Sequence, residues 1–310
     1  MAVDGQNFDC VRCHTTRQHN IAGRIYSTPA VTHRRSLLDD DLIPKIMCES
    51  CHSAAPHMED SKANDHTDKV ACQSCHIPHF ARVNPTKMWW DWSKAGDKKN
   101  GKPYKVKGPL DKPSYMSKKG EFKWAKYVTP EYYWFNGSVH TLTAKDIIDP
   151  GKPVKVSWPV GAQDAPNSRI FPFKVHRGKQ PYDKINKTLV FPKLFGKKES
   201  DAYWVKYDWK LAIESGMKEG NLPFSGEYDF VETSYVFPTA HMVTRKDYAL
   251  SCKECHSKQG RLASLTGFYM PGRDSSGIID TAGWLLVFAS LGGVFIHGLG
   301  RIFTQGRKEE

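Results

Sequence analysis

Apolar side chains are scarce in this chain. Hydrophobic residues fill only 39% of its 310 positions. Long apolar runs are missing except for one near the C-terminus, which excludes a polytopic membrane protein. Acidic residues are short as well: 33 Asp and Glu face 45 Lys and Arg, for a formal charge of +12. There is no collagen-like period and no low-complexity tract, and an aromatic content of 12% argues against disorder. No cysteine stands outside one repeated pattern, and 8 in all are too few for a disulfide-dense scaffold. These absences leave a folded chain, long enough for a sizeable core or two modest domains but short of side chains to fill one.

What is present is one motif, four times. The cysteines pair as Cys10/Cys13, Cys48/Cys51, Cys72/Cys75 and Cys252/Cys255, and His14, His52, His76 and His256 follow the pairs directly. Cys-x-x-Cys-His is the attachment signature of c-type haem. Two thiols add to the vinyl groups of one porphyrin, and the adjacent imidazole becomes the proximal iron ligand. Zinc competes, because Cys48/Cys51 and Cys72/Cys75 together have four-cysteine ribbon spacing, but zinc does not require the histidines. With 13 His in 310 residues, four chance placements have a probability of about 3 × 10⁻⁶. Disulfides fail because a two-residue gap closes a strained ring. The sequence therefore predicts four covalent c-type haems. Their apolar faces supply core that side chains do not, and their propionates offset much of the positive charge, so no nucleic-acid partner is called for. Lysines are densest from Lys94 to Lys126, which reads as a solvated loop face.

Such haems are attached outside the bacterial cytoplasmic membrane. Met1–Asn7 has neither a basic nor an apolar leader region, and the expectation is that further chain lies upstream. At the other end, Thr281–Gly300 contains no Asp, Glu, Lys or Arg, and its length suits one membrane-spanning helix. Arg301, Arg307 and Lys308 follow, which by the positive-inside rule puts the C-terminus in the cytoplasm and the haem-bearing body in the periplasm. The expected organisation is a periplasmic multihaem cytochrome c domain at 1–277, a transmembrane helix at 278–303 and a cytoplasmic tail at 304–310. His297 shares a helical face with Ala289, Gly293 and Gly300. An intramembrane histidine is a functional candidate, here for a b-type haem shared with a membrane subunit.

Between the third and fourth motifs the chain is rich in Pro, Lys, Tyr and Trp, with few long periodic runs. Aromatic clusters at 88–92, 132–135 and 203–209 read as packing against porphyrin or core. Lys206–Glu219 reads as an amphipathic helix ended by Gly220, and Tyr248–His256 as the start of a short helix carrying the last motif. The expected fold class is mainly α with much irregular structure, packed around covalent haems, plus the one C-terminal transmembrane helix. Nine histidines remain for the distal faces: His19, His33, His57, His66, His79, His140, His176, His241 and His297. Two axial histidines make a low-potential electron carrier, whereas an open sixth position admits substrate.

Ala71–Trp92 (ACQSCHIPHFARVNPTKMWWDW), Tyr132–Gly137 (YYWFNG), Arg169–Asp183 (RIFPFKVHRGKQPYD) and Ala249–Leu262 (ALSCKECHSKQGRL) resemble the octahaem tetrathionate reductase family of c-type cytochromes, over nearly all of residues 8–272. The resemblance implies a closely packed haem array in which most irons have two histidine ligands and one active-site iron has a distal lysine. It also implies reduction of tetrathionate, nitrite and hydroxylamine in the periplasm. Carried over by position, His57, His66, His176 and His241 are the best distal-ligand matches, with His19 and His140 behind them. Two departures stand out. There are four haem motifs rather than eight, as if the chain began partway through the family pattern, so no lysine here is assigned the active-site role, and the helix after residue 277 lies outside the soluble family pattern. The expected function is a membrane-anchored tetrahaem cytochrome. It would pass electrons between a membrane cytochrome b or other quinol-oxidising subunit and a periplasmic redox partner. The alternative is part of a reductase of sulfur or nitrogen oxyanions.

Overall fold

The computed structural model describes Cys10, Thr16–Arg17, Asn20–Ile21, 48–58 and 61–305. The chain divides into two compact units, Met1–Leu250 and Ser251–Glu310.

In the first unit the strands run β1 (Thr16–Arg17), β2 (Asn20–Ile21), β3 (Thr86–Asp91), β4 (Lys98–Lys99), β5 (Lys102–Pro103), β6 (Lys105–Lys107), β7 (Pro113–Met116) and β8 (Gly120–Ala125). They continue as β9 (Glu131–Phe135), β10 (Ser138–Thr141), β11 (Val154–Lys155), β12 (Ser157–Val160), β13 (Arg169–Asp183), β14 (Thr188–Leu189) and β15 (Tyr228–Pro238). The helices of this unit are α1 (Ser61–Asp65), α2 (Cys72–His76), α3 (Tyr203–Lys206) and α4 (Trp209–Glu219). Nine strands form one mixed sheet in the order β11-β15-β13-β3-β8-β7-β6, with β9 and β14 also on β13.

The frame is β13, 15 residues long. One edge pairs antiparallel with β15 from Phe173 to Asp183. The other edge is shared by three short partners: β9 at Arg169–Pro172, β3 in parallel at Arg177–Lys179, and β14 at Tyr182–Asp183. Its aromatic and β-branched composition suits a strand, and Phe171, Phe173 and Val175 alternate onto one face. There they pack with Phe135, Val139, Val236 and Ala71. Gly178 sits where β13 meets β3, and a Cβ there would lie 2.5 Å from the Trp90 carbonyl oxygen, so only glycine lets the strands approach.

A second packing centre surrounds α4. Asp208 caps it by accepting from the Leu211 N–H at 3.0 Å. Trp209, Ala212, Ile213 and Met217 form its buried face against Val190 and Tyr203.

The expectation of a mainly α chain is thus corrected. Helix and strand occupy about 28% and 27%, and the body is organised by a sheet. Prolines at 172 and 181 and scattered lysines interrupt the alternation that would mark β13 in sequence, while pairing to four partner strands supplies what local pattern does not. The lysine-rich stretch is not a loop face but the hairpins β4 to β8. The aromatic run at 132–135 belongs to β9, and that at 88–92 to β3 except for Trp92, which opens a 3₁₀ turn. The amphipathic helix is shorter than its reading, starting at Trp209, with α3 as a separate turn.

The second unit holds α5 (Cys252–Cys255) and α6 (Gly277–Gln305). Serine and glutamate form a capping box on α5 through Ser251 and Glu254. The 29-residue α6 is long and apolar enough to cross a membrane, and none of that span is buried.

Candidate haem-binding sites

The described motifs share one backbone device. In the second motif Cys48–Ser50 is a 3₁₀ turn, and the His52 N–H donates to the Cys48 carbonyl at 2.8 Å. In the fourth, the His256 N–H donates to the Cys252 carbonyl at 2.8 Å. The third motif is α2 itself, ending at His76. One helical turn sets two thiols three positions apart on the same side with the imidazole next to the second, an arrangement that fits double thioether attachment to one porphyrin. Of the first motif, Cys10 is exposed, whereas Cys13, His14 and the distal candidate His19 lie outside the described residues, as does His33.

The third motif is tied down from two sides. Ala71 N–H donates to the Ile170 carbonyl at 3.0 Å and Ile170 N–H to that of Lys69 at 2.8 Å. The buried Ser74 hydroxyl donates to the Ile170 carbonyl at 2.7 Å, which stitches α2 to the start of β13. From the other side the Thr244 N–H and hydroxyl both donate to the His76 carbonyl, at 2.8 and 3.1 Å, and Leu250 N–H donates to that of Cys75 at 3.0 Å.

The second motif lies alongside. Arg169, the first residue of β13, pairs with Glu49 at 3.2 Å. Glu49's own backbone N–H and the Arg169 guanidinium hold its carboxyl below the usual range. The thiols of Cys48 and Cys72 share a hydrogen bond that lowers Cys72 and raises Cys48.

His57 and His76 have ring centroids 6.3 Å apart and planes within 12° of parallel. An imidazole nitrogen lies about 1.1 Å from its ring centre and about 2 Å from a bound metal, so two axial rings of one iron stand about 6.2 Å apart. The pair fits that span.

The Nδ1 atoms follow one rule. Those of His66, His176 and His256 face the carbonyls of Lys62 at 2.6 Å, Lys87 at 3.1 Å and Pro271 at 3.1 Å. A carbonyl only accepts, so each Nδ1 carries the proton and the ring lone pair is at Nε2, the ligating tautomer. Burial foremost holds His76 and His176 below the usual histidine range, and neutral imidazole is the ligand form. His140, on β10 opposite Trp158, and His241 are exposed, and His297 is exposed on α6.

Three contributors escape sequence reasoning. Ser74 and Arg169 act by position on neighbouring elements, and Asn64 bonds to His57 from seven residues away; none has a motif of its own.

Motif and frame together define a cytochrome c. The chain belongs to the bacterial cytochrome c family, whose family model, "Cytochrome c bacterial", matches residues 87–259. Within it, the chain is a multihaem c-type cytochrome of the octahaem tetrathionate reductase type. It is similar to the octaheme cytochrome c from Shewanella oneidensis, with 42% identity and a TM-score of 0.71 over 83% of this chain and 56% of that one. It therefore spans little more than half the length of that protein. No curated protein matches the chain.

Proposed function

We propose that this chain is a membrane-anchored electron carrier with four covalent c-type haems, one on each Cys-x-x-Cys-His motif. The thiols of Cys10, Cys13, Cys48, Cys51, Cys72, Cys75, Cys252 and Cys255 hold the porphyrins, and His14, His52, His76 and His256 are the proximal ligands. The observation that carries this reading is the His57–His76 pair, whose 6.3 Å separation supports His76 as proximal and His57 as distal ligand of one iron. When bound, each haem supplies a one-electron couple whose potential its axial ligands set.

His66, His176 and His241 are the further distal candidates, and His19 and His140 stand behind them. The Nδ1 bonds of His66 and His176 support the first two by holding the ring in ligating form. The exposed apolar α6 supports an anchor in the cytoplasmic membrane, with the haem-bearing body in the periplasm and the tail inside by the positive-inside rule. Its partners are then a membrane cytochrome b or quinol-oxidising subunit and a periplasmic acceptor, with His297 the candidate for a shared b-type haem. Kinship with the octahaem tetrathionate reductase type favours a second reading, part of a reductase of sulfur or nitrogen oxyanions.

The test is the mature protein expressed with haem-attachment machinery. Four covalent haems per chain, all low-spin by electron paramagnetic resonance, are expected, and His57→Met should raise one midpoint potential, since a thioether ligand favours the ferrous state. A colourless chain overturns the proposal. A high-spin iron favours the reductase reading, and an unchanged redox titration removes His57 from the ligand set.

A further inference from the structure

The ring of His57 is held by one side chain. Asn64, the fourth residue of α1, accepts from the His57 backbone N–H at 3.0 Å through Oδ1, and its Nδ2 donates to the His57 carbonyl at 2.8 Å. The same Oδ1 lies 3.1 Å from His57 Nδ1. These contacts fix every proton. A backbone N–H can only donate and a backbone carbonyl can only accept, so the Asn64 amide has one orientation, with its oxygen toward the ring. An oxygen of that kind accepts, so Nδ1 carries the proton and the lone pair stands at Nε2. Asn64 is itself seated by α1, whose Asn64 carbonyl accepts from the Thr67 hydroxyl at 2.8 Å.

We infer that Asn64 is a positioning residue that fixes the tautomer and ring orientation of His57 and so tunes the potential of the iron between His57 and His76; this rests on the axial pairing proposed above. The acceptor on the remote ring nitrogen sets how much electron density a ligating imidazole gives its metal. A carboxylate there pulls harder on the Nδ1 proton, makes the ring a stronger donor and stabilises the ferric state. No acceptor at all does the reverse. His66 and His176 use main-chain carbonyls, which substitution leaves in place. At His57 the acceptor is a side chain, so the experiment can be done.

The experiment is a redox titration of the mature full-length protein with Asn64→Asp and Asn64→Leu, followed optically and by the near-infrared charge-transfer bands of the low-spin irons. One midpoint should fall with Asn64→Asp and the same one rise with Asn64→Leu, while the other haems keep theirs. Should one variant fail to mature, the sign of the shift in the other decides. A purely structural role would move both in the same direction, and that result overturns the inference. So does the absence of any shift in a protein whose His57→Met variant does shift. If His57→Met moves nothing, the axial pairing itself has failed.

Discussion

Asp183 closes the long strand β13, and it is fully buried with no ion pair to its carboxylate among the described residues. Five donors hold it there. Oδ1 accepts from the N–H groups of Ile185 and Asn186 at 3.0 and 2.8 Å and from the Ser225 hydroxyl at 2.7 Å; Oδ2 accepts from Asn186 Nδ2 at 2.9 Å and Ser225 N–H at 2.7 Å. Burial alone would push the carboxyl up, but those donors outweigh it and hold it below its ordinary value of 3.8. Asp183→Asn keeps the shape and puts an N–H₂ where one oxygen was. The cheaper orientation replaces Oδ2. Asn186 can then turn its own amide to accept, but the Ser225 N–H is left facing a donor, and the three bonds on Oδ1 lose their charge assistance. Ser225 is exposed, so its unmet donor costs about 1 kcal/mol, the low end of the usual range, and each weakened bond costs roughly half a kcal/mol, so the variant should lose about 2–3 kcal/mol. Urea unfolding followed by tryptophan emission should show a lower midpoint with an unchanged slope. The pH dependence has a definite sign. A carboxylate with a depressed folded value stabilises fully above its unfolded value and loses that contribution as pH falls through the folded one. The gap between parent and variant should therefore be constant from about pH 5 upward and narrow below about pH 4. A gap under about 1 kcal/mol at neutral pH, or one that persists undiminished in acid, would refute the reasoning.

Two further outcomes follow from packing and exposure. Gly178→Ala sets a Cβ against the backbone of Trp90, which cannot swing aside, and should cost about 2–3 kcal/mol in thermal or urea denaturation; Gly277→Ala, with nothing within 4 Å, should be close to neutral. Removal of residues 277–310 should leave a protein that no longer floats with phospholipid vesicles, whereas the full chain does; a full chain that stays in the aqueous phase would sink the anchor.

Legibility in the sequence divided along a physical line. The haem-attachment motif was readable because covalent attachment imposes fixed local spacing, and Cys72, Cys75 and His76 share one helical turn, whatever surrounds them. The exposed helix α6 was readable for a similar reason, since a run without charges declares itself residue by residue. The sheet was not. The strand β13 has prolines at 172 and 181 and charged residues at 169, 174, 177 and 179, and its identity as a strand comes from four partners, three of them far away in the chain. Asn64 was invisible too, because what marks it is a set of hydrogen bonds around His57 rather than any residue type or interval.

The sheet also revises how the body is held together. Scarcity of apolar residues suggests that porphyrins take the place of a side-chain core, yet Tyr203, Trp209, Ile213 and Met217 are buried against one another by protein alone. Phe135, Phe171 and Phe173 form a second all-protein cluster with ring centroids 5.1 to 5.7 Å apart. Aromatic and aliphatic burial of this kind contributes about 1.5–3 kcal/mol per side chain, which stabilises β13 and α4 through protein contacts alone. Hydrogen bonds from Ala71 and Ser74 to Ile170 then mean that the sheet positions α2, rather than the reverse. A Cys72→Ser/Cys75→Ser double variant should accordingly mature with one haem fewer while keeping its strand signal in circular dichroism and a cooperative unfolding transition. Loss of that cooperative transition would place the porphyrin, and not the strand, at the root of the fold.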